Sequence, residues 1–140
     1  MSFISDPDSF LSKLKKHISP RMNDIKKLGI RCDGLENWFQ IETLIAWEEA
    51  TIREKTKYDS DIVIEEKGVE LKIWRESYSK KGSTFINVFK QHPRANYYLF
   101  LHEDTTNACQ YNEGENRAKN VWKKPLKYGW YLTLFENNSN

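Results

Sequence analysis

The sequence predicts an α/β fold with a central mixed β-sheet flanked by helices. Apolar residues recur at helical spacing over the first part of the chain, and short strand-like segments follow them. Residues 97–101 form a continuous apolar run, as expected for a central strand buried on both faces. The 140 residues suffice for one domain, 1–140, which we divide into an N-terminal helical addition (1–30) and a core (34–135).

Three helices are expected before the first strand. Asp6 is a capping residue, and Pro7 is well suited to the first helical position after it. The apolar positions of this first helix are Phe10, Leu11, Leu14 and Ile18. A second, shorter helix restarts at residues 19–20 and runs to residue 29, and a third helix covers residues 34–49.

The core is expected to continue with strands, a helix and further strands. Three strand-like segments come first, and a short helix stopped by Pro93 precedes the buried strand. A weakly amphipathic helix, a last strand and a frayed terminus at 137–140 complete the prediction. The predicted strands are 51–55, 61–65, 69–75, 97–101 and 130–135, and the predicted helices are 84–92 and 113–124.

Composition excludes several classes of protein. A hydrophobic content of 39% with 14% aromatic residues is incompatible with a disordered chain. No apolar stretch is long enough for a membrane span, and the N-terminus lacks a signal-peptide core. The two cysteines, Cys32 and Cys109, suggest neither a disulfide framework nor a zinc site, so we expect a cytoplasmic protein.

Asp61, Glu70 and Lys72 are the residues that indicate a chemical activity. Glu70 and Lys72 are two positions apart on a predicted strand, so their side chains leave the same face. Asp61 opens the preceding strand. Carboxylates and an ammonium group at the edge of a buried sheet are costly unless they are paired or used. A divalent metal on the carboxylates and a lysine beside an attacking water would suit phosphodiester hydrolysis.

The register of the hairpin between these strands is left open by the sequence. A turn centred on Glu65 and Glu66 places Asp61 opposite Glu70. A two-residue turn at residues 67–68, which glycine favours, places Asp61 four residues from Glu70, about 13 Å by strand rise. A bulge would then be needed to bring the carboxylates together. Asp59 is a fallback that lies further out.

Asp61 followed by Glu70-Leu-Lys72 resembles the PD-(D/E)xK nuclease superfamily, over roughly residues 34–103. Ser60 replaces the proline of the signature. The predicted order of helix, three strands, helix and strand is also that of the restriction endonuclease-like core. The resemblance implies that Asp61, Glu70 and the Leu71 carbonyl bind Mg²⁺ or Mn²⁺ and that Lys72 positions water. It also implies a DNA substrate and, as in many small members, a homodimer.

The superfamily commonly carries a further Glu on the helix before the strands, and Glu42 is the first candidate. It falls within the apolar stripe of the predicted third helix, whereas Glu36 lies on another face and is the second choice. The stripe consists of Leu35, Trp38, Phe39, Ile45 and Ala46. Glu42 would hold a second metal or orient a metal-bound water; the alternative is a carboxylate at the rim of the apolar face with its head in water.

A basic segment follows the predicted site, with seven basic and two acidic residues between positions 67 and 94. Such clustering suits binding to the DNA backbone. The candidate DNA-contacting residues are Tyr78, Lys80, Lys81, Lys90, Gln91 and Arg94. His17, His92 and His102 show no metal-ligand spacing, and each is expected to be structural or solvated, although His92 ends the helix behind the site and could orient water.

Two alternatives to an endonuclease remain open at this point. One is a non-catalytic nucleic-acid-binding or protein-interaction module that keeps the nuclease fold. The other is an α/β protein in which the motif arose by chance. Metal-dependent cleavage of DNA distinguishes the enzyme from both.

Overall fold

The computed structural model describes residues 2–27, 34–74, 85–103 and 117–139. Four α-helices and five β-strands lie within these ranges. The helices are α1 (Pro7–Ile18), α2 (Met22–Lys27), α3 (Leu35–Ala46) and α4 (Phe85–Gln91). The strands are β1 (Ile62–Ile64), β2 (Lys67–Trp74), β3 (Tyr97–Glu103), β4 (Ala118–Pro125) and β5 (Trp130–Asn137).

The strands form one mixed sheet in the order β1-β2-β3-β5-β4. Strands β2 and β3 are parallel and are connected through α4, while the other neighbouring strands are antiparallel. Helices α1 to α3 cover one face of the sheet, packing with Leu71 and Leu99. Helix α4 covers the other face, where Phe89 packs with Tyr98 and Phe100. The mixed α/β prediction is therefore confirmed.

The N-terminal helices form where the sequence predicts them. The Asp6 side chain accepts a hydrogen bond from the Ser9 amide, and Pro7 occupies the first turn of α1. All four predicted apolar positions of α1 are buried, and a short 3₁₀ turn over Ser19–Arg21 leads into α2. The Trp47 indole donates to the Phe10 carbonyl at 2.8 Å, which joins the end of α3 to α1.

The β1–β2 hairpin has its turn at Glu65 and Glu66. Strand pairing matches Ile62 with Val69 and Ile64 with Lys67, so one further step places Asp61 opposite Glu70. Glu65 and Glu66 have φ values of 50° and 62°, the left-handed conformation that a tight type I′ hairpin turn requires at both central positions. The Glu65 carboxylate accepts hydrogen bonds from the Ser2 hydroxyl and the Phe3 amide, which fastens this turn to the N-terminus.

Gly68 lies within β2 and not in the hairpin turn, at a point where β2 packs closely against residues 58–60. A Cβ atom at this position would lie 2.7 Å from both the Ser60 hydroxyl oxygen and the Tyr58 carbonyl oxygen. Its amide donates to the Asn96 side chain at 2.8 Å, and its carbonyl accepts from the Asn96 amide at 3.0 Å. The alternative turn at residues 67–68 is therefore wrong, because both backbone groups of Gly68 are used inside the sheet.

The predicted strand at 51–55 is largely absent. Thr51 makes a single antiparallel bridge with Val63, and the following residues form turns up to β1. Arg53, Glu54 and Lys55 are exposed, so this segment supplies no apolar face that would extend the pairing.

The predicted helix at 113–124 is wrong over its described part, because residues from Ala118 form strand β4. Ala118 and Trp122 are both buried and are four residues apart, a helical spacing. A register shift between Asn120 and Trp122 places Ala118 and Trp122 on opposite faces of the sheet, whereas an unbroken strand would place both on one face.

The frayed terminus predicted at 137–140 is wrong at Asn137. This residue is buried, and its side-chain amide donates to the Pro93 and Ala95 carbonyls at 2.9 and 2.7 Å. These bonds tie the last strand to the segment that follows α4. Among the helices that the structure describes, none combines the length and apolarity needed to cross a membrane.

Gly68→Ala is expected to destabilise the protein by about 1–3 kcal/mol, because the added methyl group meets backbone that cannot rotate away. Chemical denaturation measures the loss. Gly129→Ala is a control in open space, strained only by its φ of 76°. A Gly68→Ala variant as stable as the wild type would contradict the close approach.

Candidate active site

Asp61 and Glu70 form a pair of neighbouring carboxyl groups on the α4 face of the sheet. The hairpin register brings them together, and a side-chain hydrogen bond joins the two carboxyl groups. Asp61 Oδ2 accepts a hydrogen bond from the Leu71 amide at 2.8 Å, and the Asp61 carbonyl accepts from the Gln40 side chain at 3.3 Å. Asp61 is thus held by β2 on one side and by α3 on the other.

Burial next to a second carboxylate gives Glu70 unusual acid–base properties. Glu70 is only 7% exposed. Desolvation raises the pKa of Glu70 most, followed by the charge and the hydrogen bond of Asp61 and then by the charge of Glu36. Lys72 has the opposite effect, but the pKa still reaches about 9. In the absence of a cation, Glu70 is therefore protonated at neutral pH.

Lys72 lies two residues beyond Glu70 on the same face of β2, as the sequence predicts. Its ammonium is 2.8 Å from Glu36 Oε1. Glu36 is in the first turn of α3, on the helix layer that covers the opposite face. This contact is possible at the sheet edge because β1 is paired with β2 only as far as Val69.

Glu42 is buried, as the helical pattern predicts, but its carboxylate contacts the His17 side chain of α1. Glu42 lies six positions after Glu36, which places it about 9 Å further along the helix axis. Glu36, the second choice of the sequence analysis, is the α3 carboxylate beside Lys72 and Glu70. Ile45, expected to face inward, is 58% exposed, and the buried face of α3 runs through Thr43 instead.

His92 and Asp59 are two further neighbours of Glu70, which the sequence offered only as a residue that could orient water and as a fallback carboxylate. His92 Nε2 lies 3.3 Å from Glu70 Oε2, and His92 Nδ1 lies 3.2 Å from Asp59 Oδ1. Asp59 Oδ2 also accepts a hydrogen bond from the Arg94 amide at 3.2 Å. Residues 59, 70 and 92 have no common spacing along the chain, so only the folded structure reveals this arrangement.

Three of the predicted DNA-contacting residues are exposed near the site. Lys90 and Gln91 end α4. Arg94 follows in the next turn, and its backbone amide donates to the Asp59 carboxylate. These three residues flank His92 in the sequence, and His92 in turn contacts Glu70. The other candidates, Tyr78, Lys80 and Lys81, lie outside the described residues.

The donor atoms at Asp61 and Glu70 are of the kind that Mg²⁺ prefers. Strand geometry directs the carbonyl and amide of one residue to the same side, so the Leu71 carbonyl also faces the end of β1 where Asp61 lies. Mg²⁺ is commonly held by one or two carboxylates and keeps several waters. Within the ranges described, no three His, Cys, Asp or Glu side chains are grouped so that they could hold a metal ion. Asp61, Glu70 and the Leu71 carbonyl offer three oxygen donors, and water would have to complete the coordination of a cation held there.

Comparison with protein-family models, with curated proteins and with solved structures gives no significant match for this chain.

Glu70→Gln is expected to make the metal-free protein more stable than the wild type at pH 8, with the difference disappearing near pH 5. The pKa of Glu70 is raised on folding, so its contribution to stability is complete below about pH 4.5 and is lost as the pH rises towards 9. The loss is at most about 1.4 kcal/mol per pH unit, and glutamine mimics the protonated form.

Denaturation at a series of pH values with a chelator present measures this difference. Glu136→Gln, which alters an exposed carboxylate, is the control and is expected to follow the wild-type profile. Parallel pH profiles for Glu70→Gln and the wild type would contradict the raised pKa.

Proposed function

We propose that this chain is a divalent-metal-dependent endonuclease that hydrolyses phosphodiester bonds in DNA. The observation that carries the proposal is the register of the β1–β2 hairpin, which sets Asp61 opposite Glu70 with Lys72 two residues further on. The succession of α3, β1, β2, α4 and β3 further supports a restriction endonuclease-like core, with Thr51 in place of a full first strand.

Asp61, Glu70 and the Leu71 carbonyl are the groups that would hold Mg²⁺ or Mn²⁺. A bound divalent cation supplies positive charge that favours ionisation of water and offsets the charge of the scissile phosphate. The raised pKa of Glu70 is consistent with this role, because a buried carboxyl group beside a second carboxylate lacks a compensating positive charge. Glu70 would lose its proton when the site is loaded.

Lys72 is the group that would act on the substrate itself. Its ammonium would orient the attacking water and stabilise the negative charge that develops on the phosphoryl oxygens. Glu36, at 2.8 Å, holds this ammonium at the edge of the sheet. Lys90 and Arg94 would contribute affinity for the DNA backbone that depends on salt and not on base sequence.

Lys72→Ala is expected to lower the rate of DNA cleavage by roughly 10²–10³-fold, because a charge aimed at the transition state is lost. Glu70→Ala is expected to abolish cleavage, because the metal would lose a ligand. Nicking of supercoiled plasmid and cleavage of a branched DNA duplex, each with and without Mg²⁺ or Mn²⁺, measure the activity. Lys127→Ala, at an exposed lysine, is the matched control for loss of charge.

The same assays can contradict the proposal in two ways. DNA binding without metal-dependent cleavage in the folded wild type would instead support the non-catalytic module. Cleavage that survives both Glu70→Ala and Lys72→Ala would place the activity elsewhere. An RNA duplex of the same sequence tests the choice of DNA, because cleavage of the RNA alone would overturn it.

Glu36→Gln is expected to affect the rate of DNA cleavage, and Glu42→Gln is expected to affect the stability of the fold. Glu36 contacts Lys72, so its amide variant should slow cleavage, although less than Lys72→Ala does. Glu42 contacts His17, so its variant should lower the melting temperature and leave the cleavage rate per folded molecule close to that of the wild type. The reverse result would return Glu42 to the role that the helical pattern suggested.

A further inference from the structure

We propose that His92 is a positioning residue of this site, which uses one ring nitrogen to fix Glu70 and the other to anchor itself on Asp59. The inference rests on the proposed metal-binding role of Asp61 and Glu70. His92 would not touch the substrate. It would act by limiting the orientations of the Glu70 carboxylate, so that this group is available to a divalent cation together with Asp61.

The two contacts of the imidazole ring carry the proposal. His92 Nε2 is 3.3 Å from Glu70 Oε2, and Nδ1 is 3.2 Å from Asp59 Oδ1, so each nitrogen faces a different carboxylate. Residues that orient a metal ligand through a hydrogen bond commonly change metal affinity when they are replaced. His92 stands in that relation to Glu70.

The backbone around His92 is held on three sides. The Tyr98 hydroxyl donates to the His92 carbonyl at 2.5 Å, and the His92 amide donates to the Val88 carbonyl at 3.0 Å. Tyr98 also pairs with Glu70 across the β2–β3 ladder, so the same neighbouring strand supports both partners. Asn137 donates to the Tyr98 hydroxyl at 3.2 Å and to the carbonyls that follow His92.

Asp59 is in turn held in a conformation that directs its side chain to His92. Its φ of 53° is one that a side chain rarely adopts, although Asp tolerates it better than most residues. The close packing of Gly68 against Tyr58 and Ser60 holds the segments on both sides of Asp59. The Arg94 amide binds the second carboxylate oxygen. The loop around Asp59 is therefore constrained by its packing and by its backbone conformation, and it holds the Asp59 carboxylate against Nδ1 of His92.

Two amide substitutions at His92 distinguish the contact with Glu70 from the contact with Asp59. The amide nitrogen of Gln extends about as far as Nε2, so the side chain of His92→Gln can still reach Glu70. The amide nitrogen of Asn extends only as far as Nδ1, so His92→Asn can reach Asp59 but loses Glu70. Binding of Mn²⁺ alone, measured by titration calorimetry without DNA, reports on the site independently of cleavage. Thermal unfolding with a chelator shows whether each variant is folded.

We expect His92→Asn to weaken Mn²⁺ binding by roughly 10–100-fold and His92→Gln to retain most of the wild-type affinity. Equal affinity in the wild type and His92→Asn would overturn the inference. An equal loss in both folded variants would also overturn it, because the contact with Glu70 would then not be the cause. A wild type that binds no Mn²⁺ would instead refute the proposed function itself, and the inference with it. Loss of binding in Glu70→Ala confirms that the titrated site is the carboxyl pair.

Discussion

The register of the β1–β2 hairpin is the constraint on which the arrangement of the site depends. A slip of one residue would turn Asp61 to the opposite face of the sheet, and moving the turn to residues 67–68 would separate it from Glu70 by about 13 Å. Three interactions hold the observed register: the bonds of Glu65 to the N-terminal segment, the bonds of Gly68 to Asn96, and the packing of Gly68 against Tyr58. The hydrogen bond from the Leu71 amide to Asp61 Oδ2 adds a fourth, so the register is supported both by the surroundings and by a carboxylate of the pair itself.

The edge of the sheet at Asp61 carries an excess of carboxyl groups over paired positive charge. Asp61, Glu70, Glu36 and Asp59 bring four carboxyl groups to this edge, and Lys72 is already paired with Glu36. The protein relieves the excess of negative charge by keeping a proton on Glu70, whose pKa is raised to about 9. A buried carboxylate is costly when it is ionised and has no counter-charge beside it. Under the proposed function, a divalent cation would replace that proton and supply the counter-charge for both carboxylates.

Local patterns predicted the parts of the structure that local physics determines. The cap at Asp6, the helical stripes and the shared face of Glu70 and Lys72 all follow from spacing along the chain. The register of Asp61 did not follow, because Gly68 favours a turn in isolation and its contact with Tyr58 is non-local. Burial of Glu42 followed from the helix, but its partner His17 lies on another helix. Strand β4 was predicted as a weakly amphipathic helix because its buried residues, Ala118 and Trp122, are four positions apart, a spacing that is also compatible with a strand.

The two N-terminal helices are better understood as support for the site than as an appendage to the core. Phe3, Leu11 and Leu14 are fully buried in the same cluster as Leu71, and the indole of Trp122 donates to Asp8 of α1 at 2.6 Å. Helix α1 contacts α3 through His17 and Glu42, and α3 in turn presents Glu36 to Lys72. The segment before α1 also binds the hairpin turn through Glu65. Loosening α1 and the segment before it would therefore disturb the position of Lys72 and the register of Asp61 together.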